Sequence, residues 1–483
     1  MAHLSLISLT PISSKWGRFY KSATRVIACL SGPLLLAGVV FLTGCSSHQS
    51  DRDASKPISE VPASQVRGDI TVWSWNIAAK SLQKLAPDFE KRDPQARVTV
   101  DMTGARMQTR LMLSLAAGVG APDVSQLQDT EAPHYIATGQ LADLTAVAAK
   151  YQTMFPASLW DNCTLHGRVY AIPWDMGPCA IYYKRGLFQR YGIDPEKIDT
   201  WDDYIRAGQE ILRKSGGRTK MLPLGSNDLG ATFEMLIQQN GGQVFDDTGR
   251  IAINSRQSSQ ALATIRKMRS AGICSDVAAY GQEWMAGFND ESIATYPGAV
   301  WLAGIIKDSA GDYAGKKADW GVFRLPALVH GGLHVANLGG SVLVIPAQCR
   351  NKAAAWAFIQ YALCTKEGQL AQYRNMSLFP SFLPALAMPA MDAPDPFFGG
   401  QHIARLFATD VTKIQKLNRT ASWTEATNYL GQDLSHWAAT GMADDGLFDA
   451  LARKLHRRLD LPISPISAIA DAGTDAPLSR RSL

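Results

Sequence analysis

From Asp69 to Leu127 the chain alternates short β-rich runs with longer helical patterns, and this alternation limits the available folds more than any other feature of the sequence. The run Asp69-Ile-Thr-Val-Trp-Ser-Trp predicts a strand, residues 79–92 an amphipathic helix, and 97–101 a second strand. Residues 108–117 predict a helix stopped at Gly118, and Ala121-Pro-Asp-Val-Ser-Gln-Leu a third strand. A β-α-β-α-β order calls for an α/β sheet, whose ligands sit beyond the carboxyl ends of the strands. Residues 170–173 and 180–184 predict a strand pair that carries the chain into a second lobe. Helices follow at 201–214, 232–240 and 257–271. A β-rich run at 341–346 and a helix at 352–363 return it to the first sheet. Repeated crossings imply a hinge rather than one linker.

The length of 483 residues exceeds what one ordinary core accommodates, which agrees with two lobes. With 46% hydrophobic and 19% charged residues, the chain is not a disordered one. The formal charge of +5 falls to +1 once Lys15, Arg18, Lys21 and Arg25 are set aside, so a nucleic-acid partner has no basic stripe to bind. Those four residues precede an apolar run, 26–42, broken by Gly32, Pro33 and Gly38. A basic segment before a short interrupted apolar run reads as a secretory signal rather than a membrane span. Leu42-Thr43-Gly44-Cys45 resembles a bacterial lipobox, in which the cysteine is acylated and becomes the new terminus; an ordinary core cysteine is the competing reading. Residues 1–44 are thus expected to be a signal peptide, 45–68 a polar tether and 462–483 a loose tail. The expected location is extracytoplasmic, in the periplasm or at the cell surface, with the membrane reached only through lipid on Cys45. Beyond the signal and Cys45 remain Cys163, Cys179, Cys274, Cys349 and Cys364, an odd set. A Cys163–Cys179 bridge and buried free thiols both remain open.

Common catalytic signatures are missing: there is no GxSxG elbow, HExxH helix, P-loop or GxGxxG turn. His330 and His334 flank Gly331 and Gly332, which places them on a loop as solvated histidines. No metal or cofactor is expected there. What does recur at strand ends and loops is an aromatic beside short polar residues. Trp75-Asn76 closes the first strand, Gln128-Asp129-Thr130-Glu131 follows the third, and Trp174-Asp175 follows Ala171-Ile172-Pro173. Tyr296 and Trp301 lie in Thr295-Tyr-Pro-Gly-Ala-Val-Trp, and Trp423 in Ser422-Trp-Thr-Glu. A sugar offers apolar CH faces and a rim of hydroxyls, so its cleft needs aromatic platforms with carboxylates and amides. Core or hinge packing competes with stacking for each aromatic, and helix capping or a solvated loop competes with binding for Asp129, Glu131 and Asp175.

The order of lipobox, Thr71-Val-Trp-Ser-Trp-Asn, Pro122-Asp-Val, Gly139-Gln-Leu-Ala-Asp-Leu-Thr, Gly167-Arg-Val-Tyr-Ala-Ile-Pro-Trp-Asp and Thr200-Trp-Asp-Asp-Tyr resembles the extracellular solute-binding proteins, family 1. The resemblance runs on through Ala286-Gly-Phe-Asn-Asp-Glu-Ser-Ile-Ala and Gly339-Gly-Ser-Val-Leu-Val-Ile-Pro, and looks most like the lactose- and arabinose-type binders. It implies a two-lobed, type II periplasmic-binding-protein-like α/β fold. The N-terminal lobe is expected at 69–176 plus 322–375, and the C-terminal lobe at 177–321 plus 376–461. It further implies a non-enzymatic, monomeric carrier that delivers a mono- or oligosaccharide to ABC transporter permease subunits by lobe closure. Carried over residue by residue, Trp75, Asn76, Gln128, Asp129, Glu131, Trp174, Asp175, Tyr296, Trp301 and Trp423 are the ligand-binding candidates. Gly339, Gly340 and Ser341 match a loop that donates backbone NH groups, and Asn227-Asp228 align loosely. A surface-tethered glycoside hydrolase and a ligand-sensing lipoprotein for a membrane receptor are the competing functions.

Overall fold

Val72 is fully buried in β1 (Arg67–Ser74), which lies parallel to β2 (Gln95–Met102) with Arg67 opposite Gln95 and Ser74 opposite Met102. On the other side Val72 faces Val124 of β3 (Val124–Gln128), again in parallel. The connecting helices are α1 (Asn76–Arg92) and α2 (Met107–Ala117). Helix α2 stops where Gly118 takes φ 70°, a left-handed conformation open to glycine at no steric cost. The β-α-β-α-β order therefore stands as expected. The computed structural model describes residues 58–62, 65–104, 106–226, 229–310, 319–441 and 446–465. The signal segment, Cys45, Asn227-Asp228 and residues 466–483 lie outside them.

The spine of the molecule is β4 (Ala171–Lys184), 14 residues, every one buried. Its far half pairs antiparallel with β5 (Thr295–Ala299) and β6 (Trp320–Arg324), and its near half with β7 (Asn337–Val344), which also pairs with β3. The sheet runs β6-β4-β7-β3-β1-β2, with β5 and the short β8 (Phe379–Pro380) also on β4. The sequence predicts two separate strands here, 170–173 and 180–184, and Pro173, Gly177 and Pro178 lie at or between them. These residues do not break β4, since the β4–β7 ladder shifts register between Ser341 and Val342 and between Asn337 and Gly340, where the prolines face it. Proline is tolerated at such irregularities because no ladder N–H is needed from it. At Gly177 an added Cβ would stand 1.9 Å from Leu338 O, so only glycine lets the two backbones pass.

Two large apolar clusters flank this spine. The first gathers Val72, Leu82, Phe89, Phe358 and Leu363; the second gathers Trp201, Phe233, Leu262, Trp423 and Leu451. Alternate residues of a strand face opposite sides, so Tyr182 enters the first cluster while Ile181 and Tyr183 enter the second. The clusters therefore do not divide the chain in sequence order. Leu378, Phe398 and Phe407, expected in the C-terminal lobe, pack in the first cluster together with Trp284 and Leu302, and β6 supplies Val322 to one cluster and Phe323 to the other.

The ends also differ from expectation. Ile58 is buried and Glu60 accepts from Lys150 at 2.6 Å, so the stretch read as tether joins the body before Gly68. Ile251 N donates to Pro462 O at 2.9 Å and Ser464 Oγ donates to Asp246 Oδ2 at 2.7 Å, so the segment read as tail is bonded through 464. Cys163, Cys179, Cys274, Cys349 and Cys364 are all free thiols. The Cys163–Cys179 bridge does not form, because Cys163 belongs to a small third cluster with Trp73 and Leu127 while Cys179 belongs to the second.

Candidate functional site

The ends of β1 and β3 meet the interiors of β4 and β7, and the polar groups there are joined mostly to one another. Gln126 of β3 is buried; its Oε1 accepts from Ser74 Oγ at 2.6 Å and from Trp75 N at 3.2 Å, and its Nε2 donates to Ser341 Oγ at 2.8 Å. Ser341 N donates to Asp175 Oδ1 at 2.8 Å, and Asp129 N donates to Gly340 O at 3.0 Å. Gly340 sits at φ 121°, and a Cβ there would stand 2.9 Å from Asp175 O and 3.5 Å from the Asp129 carboxyl carbon. Its bare backbone is what allows the two acids to approach from either side.

Across from these strand ends lie α4 (Leu229–Gln239) and the segment 410–422, reached after α3 (Trp201–Lys214) and before α9 (Trp423–Thr440). Between come α5 (Arg256–Ser270), α6 (Trp301–Ser309), α7 (Lys352–Leu363) and α8 (Lys366–Met376). Arg419 donates through Nη1 to Asp129 Oδ2 and through Nη2 to Glu234 Oε1, the latter at 3.2 Å. The Arg419 and Asp129 side chains are 4% and 3% exposed, and that of Glu234 18%. The guanidinium lies 5.5 Å from the centre of the Trp423 ring. Even so, Asp129 Oδ1, Arg419 Nε and Glu131 Oε2 are buried with no hydrogen-bond partner in the described protein. Buried polar atoms are nearly always paired, so three orphans in one place mark a site built for a hydrogen-bonding guest.

The electrostatics follow from burial. Asp175 is pushed up to about 7 by its removal from water, opposed by the Ser341 hydrogen bond and reinforced by the Asp129 charge. Burial also raises Asp129 and Glu234 despite Arg419, and raises Glu131. For Arg419 burial disfavours the charge, yet Asp129 and Glu234 outweigh it and the guanidinium stays protonated. A folded-state carboxyl above its unfolded value of about 4 favours the acid form. The contribution of Asp175 to stability is therefore full below about pH 4 and is lost as the pH rises toward 7. Asp175→Asn is expected to flatten that loss in urea titrations across this range, and an unchanged slope rejects the assignment.

Aromatic surface borders the same place. Trp301, half-buried at the start of α6, donates from Nε1 to Leu338 O at 3.1 Å and stacks with Tyr280, which is 62% exposed. The start of α1, with half-buried Trp75 as its N-cap and exposed Asn76 as its first residue, approaches α6 as well, since Ile77 Cδ1 would lie 3.4 Å from a Cβ on Gly304. Of the sequence candidates, the structure thus brings together Trp75, Gln128, Asp129, Glu131, Asp175, Trp301 and Gly339–Ser341, while Asn76 is exposed at the start of α1.

Three aromatics are placed elsewhere. Trp174 is 1% exposed and donates from its indole to Gln372 Oε1 of α8 at 2.7 Å, a core position between sheet and helix. Tyr296 is 1% exposed, donates to Trp284 O at 3.0 Å and packs on Trp284, Phe288 and Trp320. Trp423 is 2% exposed and faces Phe245 in the second cluster, so it underlies Arg419 rather than presenting an open platform. Sequence reading missed Gln126, Glu234, Tyr280 and Arg419. Gln126 alternates with Gln128 on a strand, a recognisable sign, whereas Arg419 sits in an ordinary polar stretch. His330 Nδ1 and His334 Nε2 both approach Asp199, at 2.8 and 3.4 Å, with Arg324 on the same carboxylate, far from this network in the chain.

Comparison with known proteins gives a consistent picture. The family model described as bacterial extracellular solute-binding protein matches residues 74–369. The arabinooligosaccharide-binding protein of Bacillus subtilis (strain 168) is 25% identical over 344 residues, 69% of this chain and 76% of the relative. The lactose-binding protein of Rhizobium radiobacter is 27% identical over 369 residues, 73% and 84% of the two chains. The ABC transporter associated binding protein from B. animalis subsp. lactis Bl-04, solved in complex with beta-1,6-galactobiose, superposes with a TM-score of 0.71 at 24% identity, covering 81% of this chain and 97% of that one.

Proposed function

The chain belongs to the bacterial extracellular solute-binding protein family, its architecture is the type II periplasmic-binding-protein fold, and from that premise we propose that it captures a neutral sugar outside the cytoplasm and delivers it to an ABC transporter permease. The observation that carries this reading is the buried Asp129–Arg419–Glu234 group with its orphaned Asp129 Oδ1, Arg419 Nε and Glu131 Oε2. A sugar hydroxyl both donates and accepts, so a ring with adjacent hydroxyls can donate to the two carboxylates while accepting from the guanidinium. The half-buried indoles of Trp75 and Trp301 supply apolar faces for the ring. An acidic sugar meets four carboxylates against one guanidinium and is disfavoured.

Capture proceeds by closure. Asp129 and Asp175 stand on the strand side of the site and Glu234 on α4, so ligand contacts on both sides are complete only when the two halves meet, and the ligand shifts the population toward that state. No bond is broken in this reading, and the named relatives are binding proteins. Acylation of Cys45 would hold a monomeric carrier beside the permease; no helix among the described residues is long and apolar enough to cross a membrane.

A thermal-shift screen against a sugar panel tests the proposal. A specific sugar at a hundred times its Kd adds about 2.7 kcal/mol to folded-state stability. The expected result is a concentration-dependent rise in Tm for one neutral sugar class and none for amino acids or short peptides. A peptide that raises Tm while every sugar leaves it unmoved would overturn it.

A further inference from the structure

Going beyond sugar capture, we propose that the end of the first half remote from the ligand site is a docking surface for an anionic bilayer, so that the tethered protein rests with its site turned toward the surrounding medium. Arg67 begins β1 and Ser74, which bonds to Gln126 of the site, ends it, so the two lie about 23 Å apart along the strand. Around that remote end the fold gathers four cations. Arg97 stands on β2 opposite Asp69. Asn351 Nδ2 donates to Asp69 O at 2.8 Å, which sets Arg350 and Lys352 beside the start of β1.

Arg67, Arg97 and Arg350 are exposed and Lys352 is half-buried. None of the four pairs with a carboxylate among the described residues: Arg97 donates to Pro94 O and Ala96 O, and Lys352 to Cys349 O. Of the acids nearby, Glu90 and Asp123 are half-buried and accept from Val98 N and Thr71 N, while Asp69 is exposed among the cations. At the neighbouring end of α1, Lys91 and Arg92 are balanced by Asp88 and Asp93. The face therefore keeps an excess of positive charge. Gln348 Nε2 donates to Ser114 O at 3.0 Å, which brings the uncharged turn 116–120 at the end of α2 to the same face, with Val119 69% exposed. Cations beside an exposed apolar turn suit a bilayer surface, where guanidinium groups meet lipid phosphates and an apolar side chain enters the interface.

The point at which the tether joins the body fits this partner. Ile58, 13 residues after Cys45, is buried in the first apolar cluster, and Glu60 accepts from Lys150 and Gln360. At full extension such a tether spans about 45 Å, so lipid on Cys45 would keep this half, rather than the other, next to the bilayer. Acyl chains limit distance but leave orientation free. A charged face fixes it.

Co-sedimentation with vesicles tests this on the mature chain, residues 45–483, carrying Cys45→Ser so that no acyl chain contributes. The expected result is binding to vesicles of equal parts phosphatidylcholine and phosphatidylglycerol and none to phosphatidylcholine alone. Salt is expected to release the protein, since the screening length falls from about 10 Å at 0.1 M to about 3 Å at 1 M. Each Lys or Arg at an anionic surface is worth roughly fivefold in partitioning. Arg67→Glu with Arg350→Glu, both on exposed side chains, is therefore expected to weaken binding at least about tenfold with Tm unchanged. Arg457→Glu with Arg458→Glu, exposed on α10 (Leu447–Leu459), makes the same change in net charge and is expected to bind as wild type. Absence of binding to the anionic vesicles, an equal loss in both double variants, or binding that survives Arg67→Glu with Arg350→Glu overturns the docking surface. Each of these leaves sugar capture standing, which the thermal-shift screen reads in solution without lipid.

Discussion

Arg419→Ala is expected to lower the unfolding free energy by about 3–5 kcal/mol, because it strands Asp129 and Glu234 as buried carboxylates without a counter-charge. The three side chains are 4%, 3% and 18% exposed, so water does little to screen the loss. Part of it returns on acidification: the two carboxyls, already raised by burial, take up protons more readily once the guanidinium is gone. The variant should therefore gain stability relative to wild type as the pH falls from neutral. Combining Arg419→Met with Asp129→Asn and Glu234→Gln should recover most of the deficit, since a neutral packed group costs less than a broken ion network. Denaturant unfolding of the single and triple variants reads both effects. A cost below about 1 kcal/mol for the single change is the size of an exposed pair, and would show that the triad is solvated.

Trp174→Ala is expected to cost about 3–5 kcal/mol of stability, the range for deleting a large buried aromatic, while leaving sugar selectivity intact in whatever fraction remains folded. The substitution opens a cavity in the first apolar cluster and also leaves Gln372 Oε1 without the indole donor at 2.7 Å. Gln372 Nε2 donates to Ala362 O at 2.7 Å and Gln369 Nε2 donates to Trp174 O at 2.9 Å, so the loosened region is the packing of α8 on β4. Trp174→Phe keeps most of the volume and loses only the hydrogen bond, and a cost of about 1–3 kcal/mol is expected for the orphaned acceptor. Parallel measurement of Tm and sugar affinity separates this from a stacking role. A Trp174→Ala variant with wild-type Tm and weakened binding would return this ring to the site.

Gln128, Asp129 and Glu131 could be picked out as candidates because they follow a strand whose neighbours announce an α/β sheet, and such sheets bind at strand ends. Gly339, Gly340 and Ser341 could be picked out as candidates from a glycine pair placed before an apolar β run, but they lie within β7 rather than on a loop, and the Ser341 N–H is already given to Asp175. Trp174 misled because its neighbour Asp175 is polar and adjacency was taken for exposure. Both are buried, since β4 is covered on each face, and period-two reasoning does not separate two covered faces. Arg419 was illegible: its partner Asp129 lies 290 residues away, and nothing in Lys416-Leu-Asn-Arg-Thr distinguishes a triad member from a surface arginine. The split of β6 between two apolar clusters was not legible, because alternate residues of one strand face opposite sides and Val322 and Phe323 therefore join different clusters.

Local chemistry along the chain determined the alternation of strands and helices, the glycine stop at Gly118, the absence of common catalytic signatures and the family to which the protein belongs. Each depends on backbone preference or on the order of short segments, which the linear chain carries in full. Tertiary structure alone decided that β4 runs unbroken, that the five thiols stay apart, and that Arg419 joins Asp129 to Glu234 beside three orphaned polar atoms. Those outcomes rest on burial and on charge acting through space, and residues distant in the chain acquire both only when they are packed against one another.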